Sequence, residues 1–218
     1  MTTRDTTFVV EGTAGLIAAP LFLLAFGLFA GPPTPREAVD RIVPYLTDHR
    51  SQIFATTVLL GLGACFYVWY LAGLRRFVSP GDDASLGFAA LLGGVLAIVL
   101  VLVGTCLLAG AALHIPDRPL ALLAFDAYNG LITVGGFGFG FSLVVAAVSG
   151  RRSGALSARL TVAGLAIGTL QLATIPGLWV DEGFFAPLGA MAVIAFVLLT
   201  AWYAAVAWTM TRIRRESE

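Results

Sequence analysis

The sequence predicts an all-helical integral membrane protein, a bundle of six transmembrane helices joined by short loops. Three observations lead to this fold class. Of the 218 residues, 58% are hydrophobic and 12% are charged, whereas a soluble domain is closer to half apolar and a quarter charged. Six apolar runs are each long enough to cross a bilayer, which takes about 20 residues. The charged residues are grouped between these runs.

The predicted spans follow one another closely, and no hydrophilic stretch between them is long enough for a soluble domain. Residues 1–218 are therefore expected to form a single six-span membrane domain. The first apolar run is longer than the apolar region of a signal peptide, so we expect it to be retained as a span. The six spans are predicted at residues 13–30, 53–74, 85–112, 120–149, 159–179 and 185–209.

The arginines predict the orientation, because positively charged loops remain on the cytoplasmic side of a membrane. All 13 basic residues are arginines. One side of the threaded chain receives Arg4, Arg75, Arg76, Arg151, Arg152, Arg159, Arg212, Arg214 and Arg215. The other side receives fewer arginines mixed with acids: Arg36, Arg41, Arg50 and Arg118 with Glu37, Asp40, Asp48, Asp117, Asp181 and Glu182. Both termini are therefore predicted to be cytoplasmic.

A short interfacial helix is predicted after the first span. In the sequence TPRE, Thr34 is a suitable N-cap, Pro35 suits the first helical position, and Glu37 completes a capping box. Apolar residues then recur at helical spacing, and Pro44 is expected to bend or end the helix. Two interpretations remain open for this segment, a lid over the bundle and a plain interfacial connector.

An aspartate lies inside the fourth predicted span, in the sequence AFDAYNG at residues 124–130. Successive helical residues are turned by about 100°. On that basis Asp126 shares one face with Asn129, Thr133, Gly136 and Gly140. Small residues allow helices to approach closely, so this face is predicted to point into the bundle. The face predicted to meet lipid carries Tyr128, Leu131, Ile132 and Phe139.

The fifth span carries a matching face, with Gly164 and Gly168 as a GxxxG pair and Gln171 on the same side. A rise of about 1.5 Å per residue places Asp126, Asn129 and Gln171 at one depth, with His114 just above. The predicted ligand-binding residues are therefore Asp126, Asn129, Gln171 and His114. Two interpretations remain: a proton- or ligand-binding site, because ionisable residues inside spans are commonly functional, and a polar clamp between spans four and five.

Aromatic residues near the ends of spans two and six are interpreted as interfacial anchors, because amphipathic rings prefer the headgroup region. This set comprises Tyr67, Trp69, Tyr70, Trp202, Tyr203 and Trp208. The glycine-rich run GGFGFGF at residues 135–141 lacks the lysine of a phosphate-binding loop and is interpreted as a packing surface.

No catalytic residue, metal site or cofactor is predicted. His49 and His114 belong to the outer side with several carboxylates, but no pair has the close helical spacing of familiar zinc sites. The formal net charge is zero, so nucleic acid is not an expected partner. The expected partners are membrane lipid and, as candidates, other membrane proteins or a second copy of the chain.

One segment resembles a known group. The sequence GRRSGALSARLTVAGLAIG at residues 150–168 resembles a basic turn and helix start found in uncharacterised six-span membrane proteins of GC-rich actinobacteria, and YLAGLRR at residues 70–76 is similar to their second-span ending. Ser157 stands where that group usually has proline. The resemblance implies six spans and a bacterial plasma membrane, and it carries over no activity.

The expected function is that of a non-enzymatic accessory protein, or of a protein that binds lipid or a small apolar ligand. Two alternatives remain open at this point. One is a small proton-linked transporter that uses Asp126. The other is an outer-face or intramembrane metal-dependent enzyme that uses His49 or His114 with nearby carboxylates.

Overall fold

The computed structural model describes residues 3–29, 31–80, 85–114 and 118–212. In these ranges the chain forms seven α-helices and one 3-10 helix. Six helical stretches are long and apolar enough to cross a membrane, and one of them, Ala158–Leu178, combines an α-helix with the 3-10 helix. The predicted all-helical six-span fold is confirmed. Asp117, Arg214 and Arg215 lie outside the described residues. The helices are α1 Thr3–Leu28, α2 Pro35–Asp48, α3 Arg50–Val78, α4 Ser85–Leu113, α5 Arg118–Arg152, α6 Ala158–Leu172 and α7 Ala190–Arg212, with the 3-10 helix at Ile175–Leu178.

Helix α5 is the central element of the bundle. It contacts α4 most extensively and also packs against α6, α3 and α2, while α1 packs against α3 and α7. We call the end of the bundle that carries α2 the α2 end. The opposite end, where α1 begins and α7 ends, is the terminal end.

The glycine-rich run predicted to be a packing surface holds α5 between two neighbours. A Cβ atom on Gly138 would lie 2.8 Å from the Gly93 backbone oxygen of α4. On the other side of α5, a Cβ atom on Gly140 would lie 2.9 Å from the Gly168 backbone oxygen of α6. A side chain at either glycine would therefore push the helices apart. The predicted contact between spans four and five is confirmed, and the run serves α4 as well.

A buried ion pair joins α1 to α3 near the terminal end. The Glu11 side chain is 3% exposed and is paired with the Arg76 guanidinium, which is 51% exposed. Gly73 makes room for the acid, since a Cβ atom there would lie 2.5 Å from Glu11 Oε2. Glu11 Oε2 itself is buried without a hydrogen bond. The charge of Arg76 is therefore the principal compensation for a carboxylate placed among apolar helices.

Helix α2 lies across the α2 end, as predicted. The Thr34 hydroxyl accepts a hydrogen bond from the Glu37 backbone N–H, and the Glu37 carboxylate accepts one from the Thr34 backbone N–H, at 3.4 and 3.0 Å. The bond from the Thr34 backbone is the main reason that the pKa of Glu37 is lowered. The helix continues through Pro44 to Asp48, so the proline does not end it. Its buried face carries Ala38, Ile42, Tyr45 and Leu46.

That buried face of α2 packs on a cluster formed by the α2 ends of α1, α3, α4 and α5. Burial raises the pKa of Tyr45 to about 12, because the phenolate would lose its hydration. Helix α2 is thus a cover over the bundle end, attached by apolar contacts.

Helix α6 is shorter than predicted. The expected span at 159–179 is broken: the α-helix ends at Leu172, a turn follows, and a 3-10 helix covers Ile175–Leu178. The next α-helix begins at Ala190 rather than at residue 185. An apolar run of the right length thus contains two turns that hydropathy alone does not reveal.

The anchoring role predicted for the aromatic set is wrong for four of its members. Tyr67, Tyr70, Trp202 and Tyr203 are buried in the core of the terminal half, between 0% and 6% exposed. Three of the four donate hydrogen bonds inside the protein, as the Trp202 indole does to the Leu160 backbone oxygen at 2.8 Å, whereas the Tyr67 hydroxyl is buried without a partner among the described residues. Trp69 and Trp208 are each 50% exposed on the outer surface of the bundle.

We expect Gly138→Ala to lower the free energy of unfolding by about 1–3 kcal/mol, because overpacking forces a backbone shift. The new methyl group would lie 2.8 Å from the Gly93 oxygen and 2.9 Å from the Ala97 Cβ. Gly130→Ala on the same helix is the matched control, since nothing lies within 4 Å of its added methyl group. It should be neutral or stabilising by up to about 1 kcal/mol. Denaturant unfolding in detergent measures both, and equal effects would contradict the packing argument.

We expect Arg76→Gln to lower the free energy of unfolding by about 2 kcal/mol, less than the roughly 3–5 kcal/mol of a fully buried pair because Arg76 is half-exposed. The same unfolding assay tests this. The double variant Glu11→Gln with Arg76→Gln should be more stable than Arg76→Gln alone, since it removes the stranded charge. Arg152→Gln, at an exposed arginine of the same end, is the control. If Arg152→Gln lowers the free energy of unfolding by the same amount, the effect comes from the change in net charge and not from the Glu11–Arg76 pair.

Candidate functional site: a cavity in the α2 half

A cavity of about 130 Å³ lies inside the α2 half of the bundle. Its walls come from α1, α3, α4, α5, α6 and α7, and from the connection between α6 and α7. Most of the lining is apolar, and among the described residues none of those that line it is charged. The aromatic lining residues are Phe22, Phe26, Phe29, Tyr128, Phe139, Phe185 and Phe196.

The cavity exists because neighbouring helices differ in length. At about 1.5 Å per residue, the 35 residues of α5 extend about 52 Å and the 15 residues of α6 about 22 Å. Residues 173–189 complete the wall with turns and the 3-10 helix. Irregular backbone at membrane depth is tolerated where it is buried in protein or lines a cavity. The early end of α6 therefore leaves the space, and the connection only partly fills it.

Aromatic rings close the side of the cavity that faces the terminal end. Phe22 and Phe139 line it, and both rings contact the buried Tyr67, with centroids 5.7 and 6.1 Å apart. At the α2 end, Leu188 lines the cavity with its backbone in the left-handed region at φ 60°. A non-glycine residue in that region costs of order 1 kcal/mol and clusters at functional sites.

A second cavity of about 430 Å³ adjoins the first at the α2 end. The two share Phe26, Phe29 and the segment 186–188. The second cavity lies between residues 31–34, which lead into α2, and the connection before α7. The Arg36 guanidinium reaches the Glu182 carboxylate at 3.0 Å and joins these two segments. Both groups are largely exposed, so this pair contributes little energy.

The predicted site residues fall into two groups. Gln171 and Asn129 are buried, each 6% exposed, and Gln171 lines the cavity. Asp126 is exposed on the surface of the bundle, so the prediction that it points inward is wrong. His114 is also exposed, and its Nδ1 lies 2.9 Å from the Gly110 backbone oxygen of its own helix. Whether any of the four binds a ligand stays a prediction.

The predicted common depth of Asn129 and Gln171 is also wrong. A Cβ atom on Gly136 would lie 3.7 Å from Gln171 Oε1, so Gln171 is level with Gly136. Gly136 is seven residues beyond Asn129, which corresponds to about 10 Å along the helix. The prediction assumed an unbroken helix from Gln171 to Trp179, and the turns after Leu172 remove that basis.

The face of α5 predicted to meet lipid is largely inside the protein. Tyr128 is 4% exposed, and Tyr128, Ile132 and Phe139 line the cavity. The prediction was wrong because α5 has neighbours on several sides, so no single face of it is the interior one. The glycine run is the sequence signal that could have indicated this, because Gly138 and Gly140 point to different faces of α5 and each permits close contact with a neighbouring helix.

The outer-face histidines do not assemble a recognisable metal site in the described residues. His49 stacks on Tyr45, with ring centroids 4.6 Å apart, and its Nδ1 is 3.1 Å from the Tyr45 backbone oxygen. Within the part of the chain that the structure describes, no three His, Cys, Asp or Glu side chains are grouped as metal ligands.

Comparison with protein-family models, with curated proteins and with solved structures finds no match to this chain. The cavity and its lining are therefore the features of this chain from which a function can be inferred.

We expect Gln171→Leu to leave the free energy of unfolding unchanged, or to raise it by up to about 1 kcal/mol. Its amide makes no hydrogen bond to any described residue, so an apolar side chain of similar size removes an uncompensated polar group. Ser142→Ala is the reference for a real interhelical bond, since Ser142 donates to the Ala90 backbone oxygen at 2.7 Å, and it should cost about 1 kcal/mol. Unfolding in detergent compares them. A comparable loss for Gln171→Leu would favour the polar-clamp interpretation.

Proposed function

We propose that this protein is a non-enzymatic, multi-pass protein of a bacterial plasma membrane that binds a lipid chain or a small apolar ligand in the cavity of the α2 half. The single observation that carries this proposal is the cavity itself, an uncharged space with a largely aromatic and aliphatic lining. Binding sites for small molecules are typically concave and apolar, with a few placed polar groups.

The size of the cavity supports an occupant of about one substituted ring or a short length of acyl chain. A dry apolar cavity of about 150 Å³ in an engineered soluble protein takes up benzene, and this cavity has a volume of about 130 Å³. The adjoining space at the α2 end shares Phe26, Phe29 and residues 186–188 with this cavity, so a longer chain would extend past these residues into the second cavity.

The orientation is part of the proposal. The helices bring Arg75, Arg76, Arg151, Arg152 and Arg212 to the terminal end, and a basic end is expected to be cytoplasmic. The α2 end and the cavity would then belong to the outer half of the membrane. The resemblance of residues 150–168 to actinobacterial membrane proteins supports the bacterial plasma membrane as the location.

A proton-linked carrier that uses Asp126 has weaker support. The carboxylate is exposed and lines neither cavity. Its electrostatic neighbour is another acid, Asp181, in the connection before α7. A metal-dependent enzyme is supported even less, because the histidine rings contact their own helices.

Binding of 1-ethyl-4-fluorobenzene by the protein in lipid nanodiscs tests the proposal. We expect a saturable ¹⁹F resonance of bound probe, competed by unlabelled ethylbenzene, which separates binding from partition into lipid. Ala192→Phe fills the cavity from α7 and should weaken binding at least about ten-fold, since the probe would lose 1.4 kcal/mol or more of contact.

The matched control is Ala201→Phe, which adds the same ring at an exposed position of α7. It should leave the affinity for the probe unchanged. No saturable signal with the wild-type protein, or equal losses in the two variants, would overturn the proposal.

A further inference from the structure

Some polar side chains of the cavity lining have hydrogen-bond partners within the protein and others have none. Three threonine hydroxyls donate to backbone oxygens and so have no proton left for a ligand. Thr56 donates to Ala25, Thr133 to Asn129 and Thr174 to Gln171, at 3.2, 2.8 and 2.7 Å. The Thr56 bond runs from α3 to α1, and the bonds of Thr133 and Thr174 are local in the chain.

Two other lining side chains have donors without acceptors. The Tyr128 hydroxyl and the Gln171 amide make no hydrogen bond to any residue that the structure describes, although the residues are only 4% and 6% exposed. Asn129, next to Tyr128 in the chain, also has a fully buried unpaired Nδ2, but it does not line the cavity, so Tyr128 and Gln171 are the donors that matter for a ligand. The cavity is therefore bordered by N–H and O–H groups that lack partners.

An unpaired buried donor is costly, at about 1–3 kcal/mol each in proteins. Most buried N–H and O–H groups have a partner, so each exception requires an explanation. A ligand that supplies an acceptor would remove this cost, and a hydrocarbon would not. A charged ligand is disfavoured, because the described lining residues offer no opposite charge.

Resting on the proposed function, we infer that the ligand is a neutral apolar molecule that carries a carbonyl or ether oxygen as hydrogen-bond acceptor. Tyr128 or Gln171 donates to it. Gln171 is level with Gly136, eight residues beyond Tyr128, so the two donors belong to different levels about 12 Å apart along α5. A ligand with an acceptor at each end of a ring or short chain could engage both.

Two probes of nearly the same shape isolate the acceptor. The compound 4′-fluoroacetophenone differs from 1-ethyl-4-fluorobenzene by a carbonyl in place of a methylene group. In nanodiscs, with each probe's lipid partition measured separately, we expect the ketone to bind about five- to ten-fold more tightly, which corresponds to one hydrogen bond. The ketone has one acceptor and the two donors lie on different levels, so it accepts from one donor at a time. At most one of Tyr128→Phe and Gln171→Leu should therefore reduce this ratio strongly, and the double variant should bring it to about one.

The affinity for 1-ethyl-4-fluorobenzene serves as the internal standard, because neither substitution removes its apolar contacts. Tyr203→Phe is the control for loss of a buried hydroxyl elsewhere, since Tyr203 donates to Ser142 at 3.2 Å and does not line the cavity. It should leave the ratio unchanged.

The outcomes separate the two proposals. A wild-type ratio near one, or a ratio that survives the double variant, would overturn the inference about the acceptor while leaving apolar binding intact. Failure of both probes to bind would overturn the proposed function itself.

Discussion

The architecture depends on backbone contact between α5 and its two neighbours, α4 and α6. Lipid tails are as apolar as the side chains that face them, so burial of apolar surface contributes little to helix association in a membrane. What remains is close packing, and Gly138 and Gly140 permit it on different faces of α5. Once α5 is held between α4 and α6, the depth of every residue on α6 is determined. The position of Gln171 opposite Gly136 follows from this contact.

That packing also explains why the polar groups lie where they do. The α5–α6 contact continues from Gly168 to Gln171 and Leu172, which lie against Gly140, and α6 ends there. The rest of the segment makes its hydrogen bonds in turns, as with Gly177 to Thr174 and Trp179 to Pro176. The Phe185 and Ala186 backbone packs on the 3-10 helix and covers the space that remains. The cavity is thus a product of the helix geometry, and its unpaired donors come from the residues that border it.

Much of the fold could be predicted from the sequence. Six apolar runs, charged connections and the capping box at Thr34 each reflect a local requirement, so they predict spans, helix α2 and a basic end without tertiary information. GxxxG pairs predict close contact between spans four and five for the same reason. Hydropathy, however, is averaged over a run of residues and carries no information about turns. It therefore predicts one span at 159–179 and does not predict that α6 ends at Leu172.

The site was predicted less well, because it depends on which sides of each helix are covered. A helical wheel assumes that α5 has one interior face. On that assumption Asp126 is predicted to point inward and Tyr128 to face lipid. In the structure α5 contacts four other helices, and the exposed sector happens to carry the aspartate. Tyr67 and Tyr203 illustrate the same limit: their amphipathic rings suit a membrane interface, but neighbouring helices supply Ser142 and apolar contacts in the core.

The shortness of α6 also bears on how the chain enters the membrane. A helix of 15 residues is shorter than the roughly 20 residues that a free-standing span requires. Helix α6 reaches that length only together with the 3-10 helix, as the 21-residue stretch Ala158–Leu178, and we expect α5 and α6 to integrate as a hairpin. The turn between α5 and α6 is well ordered: Leu156 is 1% exposed and packs against Gly150, and Ser157 caps the start of α6.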